Sequence, residues 1–403
     1  MKSDRRTLLA ASLAAIAAAA CEKTARVAAE PGARALGDGR RAYGERSPFE
    51  RAERAFRQSN TPATSSSRTP LQDTYGIVTP SSLHFERHHS GVPRIDPSQH
   101  QLLIHGLVDR PVSFRLDDLH RFRSVSRIHF VECAGNSGRE QAGRPGEDPQ
   151  KSHGLASCSE WTGVPLSVVL QEAGLKPTAS WVVAEGADAS RHSRSIPIAK
   201  ALDDVIVAYG QNGEAVRPEQ GYPLRLLVPG WEGNMNVKWL HRLEVADEPA
   251  MSKDEAASYT DLMPAGKAWR FSFVLDAKSV VTRPAGGQRL PGPGLHEIQG
   301  LAWSGRGRIS RVDVSTDDER SWQQATLQDP VLPKAFTRFR LPWTWSGAAT
   351  TLRSRCADET GYVQPTREEI VAVRGLHEGP DGFDHYNGMK IWRVEADGRV
   401  THV

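Results

Sequence analysis

The sequence predicts an α+β domain followed by an all-β domain, and three observations favour this order. The first half of the chain mixes strand-like and helix-like stretches without regular βαβ alternation. The second half alternates apolar and polar residues in short runs between turn formers, which is typical of strands. The chain has 403 residues, and at about 100–200 residues per domain this length indicates two or three globular units.

Strands and helices of the first core are predicted up to about residue 250. Apolar runs predict strands at 101–105, 181–184 and 224–228. Helices are predicted at 165–173, where Gly174 ends the pattern, and at 198–202.

The second core, roughly 270–400, is predicted to consist of strands. Residues 310–315 alternate in polarity, 316–320 form a turn, and 321–327 return as the partner strand. The series continues at 339–345 and 371–373. This pattern predicts an immunoglobulin-like sandwich.

The charge balance excludes one class of partner. The net charge is +3, and Lys2, Arg5 and Arg6 against Asp4 supply +2 of it, which leaves 3 − 2 = +1 for the rest. A nearly neutral body carries no basic footprint for nucleic acid. We therefore expect no nucleic-acid partner.

The first residues are typical of an export signal. The adjacent Arg5 and Arg6 precede the apolar run 8–20, the layout of a twin-arginine signal. We expect a signal peptide at 1–26 and a periplasmic location, with an amphipathic helix or a general secretory signal as the alternatives. Cys21 is a weaker candidate for a lipid anchor. Residues 27–74 have little apolar periodicity and are interpreted as a mobile or partner-contacting arm.

The cysteines favour a cofactor more than a disulfide framework. Cys21, Cys133, Cys158 and Cys356 form no CxxC or CxxCH motif, so no covalently bound c-type haem is predicted. Residues 127–133 resemble a strand that runs into the turn-rich loop 134–138. Cys133 at this junction is suited to be a thiolate ligand or a nucleophile. From the residues alone, a small buried hydrophobe is the more common role of a free cysteine.

Five motifs, taken together and in order, resemble a known family. They are His-Phe-Glu-Arg-His-His at 84–89, Glu-Cys-Ala-Gly-Asn at 132–136, 220–225, 236–239, and 302–306 with 312–315. In this order they are similar to the sulfite oxidase family of molybdenum enzymes. Stretches 83–93, 229–236, 259–264 and 359–365 are similar to its sulfane dehydrogenase branch, which acts in periplasmic thiosulfate oxidation.

The resemblance implies a molybdopterin domain, at 75–265, followed by an immunoglobulin-like dimerisation domain, at 266–403. It implies a molybdenum-molybdopterin cofactor with Cys133 as the protein ligand to the metal. A soft anionic sulfur suits a metal that the pterin already holds through sulfur.

The resemblance also implies roles for individual residues. Arg87 and Tyr259, with Cys133, are expected at the reacting centre. Arg87 faces an anionic substrate, for which a guanidinium is well shaped, and the Tyr259 phenol donates a hydrogen bond near the metal. The remaining implied residues hold the pterin or its phosphate: Phe85, Glu86, Arg87, His88, His89, Asp188, Gln220, Arg225, Asn236, Val237 and Lys238. Without the resemblance, Arg225, Tyr259, His88 and His89 would be interpreted as surface residues.

Two departures bear on the substrate. Ser137 and Gly138 follow the cysteine motif where sulfite-oxidising members commonly carry basic residues, and Gln220 stands where histidine is common. We therefore expect a less cationic pocket, which favours sulfane sulfur on a carrier-protein cysteine over free sulfite. The resemblance implies oxygen-atom transfer, with electrons leaving to a separate c-type cytochrome subunit. It also implies a homodimer, or a heterotetramer with that cytochrome.

Three alternatives remain open from the sequence. The first is a dehydrogenase that oxidises free sulfite in the periplasm. The second is a molybdenum reductase that acts on sulfoxides. The third is a periplasmic scaffold without metal, for which replacing Cys133 would change only stability.

Overall fold

The structure, a computed structural model, describes residue 39 and residues 42–57, 61–377 and 384–403. The chain divides into two compact units, Met1–Arg51 and Ala52–Val403. The predicted signal peptide at 1–26, with Cys21, lies outside the described residues. Within the described part of the chain, no helix has the length and apolar character needed to cross a lipid bilayer.

The second unit opens with a small antiparallel sheet. Its strands are β1 (Ala55–Arg57), β2 (Ser66–Arg68) and β3 (Glu86–Arg87), in the order β1-β2-β3. The two serines of β2 are buried. Residues 55–57 and 66–68 of the predicted N-terminal arm are therefore folded as strands.

The α+β domain follows, with ten strands and four helices in chain order. These are β4 (Gln101–Gly106), β5 (Val112–Arg115), α1 (Leu116–Leu119), β6 (Val125–Glu132), α2 (Pro149–His153), β7 (Ala156–Pro165), α3 (Leu166–Ala173), β8 (Trp181–Gly186), β9 (Ser193–Pro197), α4 (Ile198–Asp203), β10 (Ile206–Gln211), β11 (Glu214–Ala215), β12 (Arg225–Leu227) and β13 (Leu240–Ala246).

Two five-stranded sheets form this domain. One has the order β11-β10-β7-β6, with β12 also paired to β10, and the other has the order β5-β4-β13-β8-β9. Strands β4 and β13 run parallel in the second sheet, and its other pairs are antiparallel. Helix α3 packs against the core through Leu166, Val169, Leu170 and Ala173, all fully buried. Their spacing of three or four residues places them on one face of the helix.

A short hairpin leads to the second domain. It consists of β14 (Asp261–Leu262) and β15 (Ala268–Trp269), which pair antiparallel. The predicted boundary between residues 265 and 266 falls in the turn of this hairpin.

The second domain is a β-sandwich with one additional helix. Its elements are β16 (Lys278–Arg283), β17 (Gly294–Trp303), β18 (Ile309–Ser315), β19 (Gln323–Gln324), β20 (Thr326–Gln328), β21 (Thr337–Trp345), β22 (Thr350–Asp358), α5 (Arg367–Arg374), β23 (Ile391–Val394) and β24 (Val400–His402).

The sandwich has a four-stranded sheet, β16-β17-β21-β20, and a five-stranded sheet, β19-β18-β22-β23-β24. Both sheets contribute buried apolar residues to one core, among them Val280, Phe339, Val312, Leu352 and Trp392. A shared core between two antiparallel sheets is the arrangement of a sandwich. The predicted order, an α+β domain followed by a β-sandwich, is confirmed.

Two predictions for the second domain were wrong in detail. Residues 371–373 lie in helix α5, not in a strand, because Thr366 and Glu369 form a capping box at the start of the helix. The predicted strand 321–327 is divided: β19 pairs with β18 in one sheet, and β20 pairs with β21 in the other. An alternating pattern indicates a strand but does not say which sheet receives it.

Candidate active site

A buried cavity and a wide cleft meet in the α+β domain. The cavity has a volume of about 80 Å³ and the cleft about 760 Å³, and both are lined by Arg87, His89, Cys133 and Tyr259. Apart from Val237, every residue predicted for the site lines the cavity. The structure thus brings the predicted residues together, while their individual roles stay predictions.

Cys133 lies directly after β6, where the cavity meets the cleft. Its main-chain N–H donates to the Leu155 carbonyl at 2.9 Å, and its own carbonyl accepts from the Asn136 N–H at 2.9 Å. These bonds fix the backbone that carries the thiol. Burial raises the pKa of the Cys133 thiol, and the nearby Arg87 charge opposes that rise. Cys158 and Cys356, whose redox state the sequence left open, are buried free thiols.

Gly233 packs against the same backbone. A Cβ at this position would lie 2.7 Å from the Glu132 carbonyl oxygen and 3.1 Å from the Cys133 Cα. Only glycine allows two backbones to approach this closely. The segment after Trp231 is therefore held directly against the strand end that carries the thiol.

A buried ion pair ties this strand end to the β-sandwich. The Glu132 carboxylate accepts from Lys278 at 2.5 Å, from the Trp303 indole at 2.7 Å and from Asn136 at 2.9 Å. Glu132 and Lys278 are almost completely buried. Sequence reasoning missed this contact, since Lys278 and Trp303 belong to the other domain and carry no local motif.

Arg225 is a buried cation on the cavity wall. Its guanidinium donates to the carbonyls of Gln220 at 3.0 Å and Asn236 at 3.3 Å, and it lies 4.6 Å from the Trp161 ring centre. Its Nε has no hydrogen-bond partner, and no described carboxylate lies within ion-pair distance. Burial lowers its pKa to about 9. A buried guanidinium without an acid suits an anionic ligand.

Lys238 is the second cation of this wall. Its ammonium donates to the carbonyls of Arg87 at 3.1 Å and Glu219 at 3.0 Å, and to His88 Nδ1 at 3.2 Å. Burial, followed by the charge of Arg225, lowers its pKa to about 7. An anion bound between Lys238 and Arg225 would relieve both effects.

His84 supplies an acceptor that the sequence analysis did not assign. Its Nδ1–H donates to the Phe85 carbonyl at 3.0 Å, and Gln220 Nε2 donates to the same oxygen at 2.7 Å. The Nε2 of His84 is buried without a partner in a residue that lines the cavity. Burial lowers the pKa of His84 to about 3, so the neutral ring keeps Nε2 as an acceptor. The signal was present in the motif at 84–89, which begins with this histidine.

Three predicted side chains bond mainly to protein. Glu86 accepts from His88 at 2.9 Å and from Arg54 at 2.6 Å. Asp188 accepts from the Ser90 hydroxyl at 2.8 Å, from Ser190 and from the His192 N–H.

Asn236 likewise bonds to the main chain. Its amide oxygen accepts from the Val228 N–H at 2.8 Å, and its NH₂ donates to the Glu232 carbonyl at 3.0 Å. In this structure these side chains hold the loops of the cavity wall.

Tyr259 faces the cavity from the end of a π-helix, Asp254–Ser258. Its hydroxyl lies 3.3 Å from His89 Nε2, and the Arg194 guanidinium lies 4.9 Å from its ring centre. Arg194 is fully buried and pairs with Glu255 at 3.2 Å. Burial, followed by the charge of Cys133, raises the pKa of the Tyr259 phenol, so the phenol stays protonated and able to donate.

The open cleft is lined by basic and acidic side chains, and the acidic ones are Glu140, Glu147, Asp261 and Asp384. The arginines and the lysine that line it are Arg57, Arg68, Arg87, Arg139, Arg144 and Lys151. The expectation of a pocket less cationic than that of sulfite-oxidising members stays a prediction. The basic residues of the cleft come from β1, β2 and β3, from residues 139–144 and from α2.

The residues fit a molybdopterin. Arg225 and Lys238, which form no ion pair with a described carboxylate, suit a phosphate. The His84 Nε2, which has no partner among the described residues, suits a ring N–H as donor, and Cys133 presents sulfur at the mouth of the cavity. One thiolate suits a metal that the pterin itself carries.

Comparisons with known proteins agree with this geometry. Residues 89–253 match the family model described as the oxidoreductase molybdopterin binding domain, and residues 270–380 match the Mo-co oxidoreductase dimerisation domain. The crystal structure of the sulfane dehydrogenase SoxCD from Paracoccus pantotrophus is similar, with a TM-score of 0.90 and 45% identity. That match covers 93% of this chain and 97% of the other.

Two curated relatives are more distant. Human sulfite oxidase is 33% identical over 291 residues, 68% of this chain and 52% of the relative. The nitrate reductase of Hordeum vulgare is 34% identical over 307 residues, 68% of this chain and 34% of the relative. The chain thus spans about a third to a half of the length of these relatives. It belongs to the sulfite oxidase family of molybdopterin-dependent oxidoreductases, as a SoxC-like member.

Proposed function

We propose that the protein oxidises sulfane sulfur bound to a cysteine of a carrier protein. The observation that carries this proposal is the cleft of about 760 Å³ that opens beside Cys133. Free sulfite is a single small oxyanion and needs no opening of this size, whereas a peptide arm that bears a modified cysteine does. The similarity to a sulfane dehydrogenase over 93% of the chain supports the same substrate class.

In this proposal the cavity residues bind the cofactor. Arg225 and Lys238 hold its phosphate, His84 and the segment of Phe85 hold the pterin, and Cys133 is the thiolate ligand. When bound, the cofactor supplies a molybdenum centre that transfers oxygen atoms to sulfur and accepts electrons.

Two residues act on the substrate. The Arg87 guanidinium, which donates to the His88 carbonyl at 2.5 Å and has no described carboxylate partner, orients the oxyanion that forms on the substrate sulfur. The Tyr259 phenol, kept protonated by burial, donates a hydrogen bond to a substrate or product oxygen.

The partners follow from the chemistry. We propose a SoxD-like c-type cytochrome subunit as the electron acceptor, and a sulfur-carrier protein whose cysteine presents the substrate. The dimerisation-domain match and the SoxCD complex as a neighbour support a homodimer or a heterotetramer with the cytochrome. We further propose export by the twin-arginine route to the periplasm.

A second candidate is the oxidation of free sulfite. The cationic lining of the cleft and the 33% identity to human sulfite oxidase favour it. Both candidates use the same cofactor and cysteine, so they differ only in the substrate that reaches them.

Steady-state reduction of the cytochrome subunit separates the two candidates. A peptide with a cysteine persulfide, and free sulfite, are each supplied to holoenzyme in the presence and absence of the cytochrome. We expect a higher kcat/KM for the persulfide peptide, and no turnover without the cytochrome. A higher kcat/KM for sulfite would refute the proposal in favour of the second candidate.

A further inference from the structure

We propose that Arg68, together with Arg139, forms a second anion subsite beside Cys133 that binds the oxyanion group which oxidation places on the substrate sulfur. The identity of that substrate rests on the proposed function. The presence of the subsite rests on the cleft itself. Neither Arg68 nor Arg139 belongs to the site predicted from the sequence.

The small N-terminal sheet places Arg68 in the cleft. Strands β2 and β3 pair with Ser66 opposite Arg87, so Arg68 and Arg87 lie on adjacent strands. Both arginines line the cleft that Cys133 also lines. The site therefore has a guanidinium on each of two adjacent strands.

The backbone of Arg68 is held firmly. A Cβ at Gly154 would lie 2.9 Å from the Arg68 Cβ, which shows how closely the two segments pack. The Arg68 carbonyl accepts from Gln150 at 2.8 Å, and the following N–H, of Thr69, donates to the Gly154 carbonyl at 2.8 Å. A guanidinium on such a backbone is preorganised, which lowers the entropy cost of binding.

The charge of Arg68 is only partly offset by the protein. Its guanidinium donates to the Lys151 carbonyl, and among the described residues no carboxylate lies within ion-pair distance of Arg68 or Arg139. Burial lowers the pKa of Arg68, and the charges of Arg57 and Arg139 lower it further, while the charges of Cys133 and Asp148 oppose them. Like charges gathered around a half-buried guanidinium favour an anion among them.

The geometry of the group selects an oxyanion. A guanidinium offers a planar fork of donors that matches two oxygens of a sulfonate, sulfite or sulfate. The subsite also explains how a pocket with Ser137 and Gly138 after its cysteine motif still carries positive charge. The charge is provided by β2 and by Arg139.

Calorimetric titration of the holoenzyme with sulfate tests the subsite. Sulfate is an unreactive oxyanion probe, so its binding does not depend on turnover. We expect Arg68→Gln to weaken sulfate binding about tenfold, as loss of one charge-assisted contact does. Arg68→Lys should recover part of the affinity, and Arg110→Gln, at an exposed site, should bind as the wild type does. Circular dichroism confirms that each variant is folded.

Kinetics add a second readout. With sulfite, the substrate that carries an oxyanion, Arg68→Gln should raise KM about tenfold and leave kcat nearly unchanged, since Arg68 binds and does not react. Unchanged sulfate affinity in Arg68→Gln, or no sulfate binding by the wild type, would overturn the subsite. If the wild type does not oxidise sulfane sulfur, but Arg68→Gln still weakens sulfate binding, only the proposed function is refuted.

Discussion

Replacing Lys278 by methionine tests the link between the two domains. In the wild type the Glu132 carboxylate receives one charged donor, Lys278, and two neutral donors, Trp303 and Asn136. The variant keeps the neutral donors and leaves the carboxylate charge buried without a cation. Breaking a buried pair in this way costs about 3–5 kcal/mol. We expect a loss of this size in the free energy of unfolding.

Urea unfolding followed by tryptophan fluorescence measures this loss. The control is Asp73→Asn, which breaks an exposed ion pair with Arg283 on the same strand, β16. Exposed pairs contribute about 0–1 kcal/mol, so the control should remain close to the wild type.

A double variant separates charge from packing. Glu132→Gln combined with Lys278→Met removes the buried charge as well as its partner, and we expect it to recover at least half of the loss. A loss below about 1 kcal/mol in Lys278→Met, or no recovery in the double variant, would refute the reasoning.

Three further predictions concern other parts of the molecule. Gly233→Ala places a Cβ 2.7 Å from the Glu132 carbonyl oxygen and should destabilise the fold by about 1–3 kcal/mol, whereas Gly292→Ala, with no atom within 4 Å, should be neutral in the same urea assay. Burial lowers the pKa of His129 from 6.5 to about 4, so the unfolded chain binds its proton first and stability falls as the pH drops through this range. His129→Asn should show a shallower fall, and equal slopes would contradict this assignment. Arg225→Met should lose bound pterin, measured as fluorescence of the oxidised pterin, and normal pterin content would show that the guanidinium does not hold the phosphate.

Much of the fold was predictable because the spacing of apolar residues along the sequence indicates which side chains are buried. Helices α3 and α4 lie where apolar spacing and Gly174 predicted them, and strand β6 ends just before Cys133, as predicted. Helix α5 was missed because the apolar residues 371–373 were interpreted as a strand. The capping box at Thr366, which indicates a helix start, was present in the sequence but was not used.

The site was predictable only where a motif marks it. The motif residues from Phe85 to Tyr259 line one cavity, although they are far apart in the sequence. Lys278, Arg68 and Arg194 were missed, because each acts through a contact between distant segments and has no local pattern. Long-range pairing of this kind appears only when the tertiary structure is known.

The central claim is that Cys133 binds molybdenum at the mouth of the cavity. Mass spectrometry of protein matured through its own export route gives the molybdenum content per chain, and electron paramagnetic resonance gives the Mo(V) signal. We expect one molybdenum per wild-type chain and an altered Mo(V) resonance in Cys133→Ser. Matured wild-type protein without molybdenum, or an identical resonance in the variant, would contradict it.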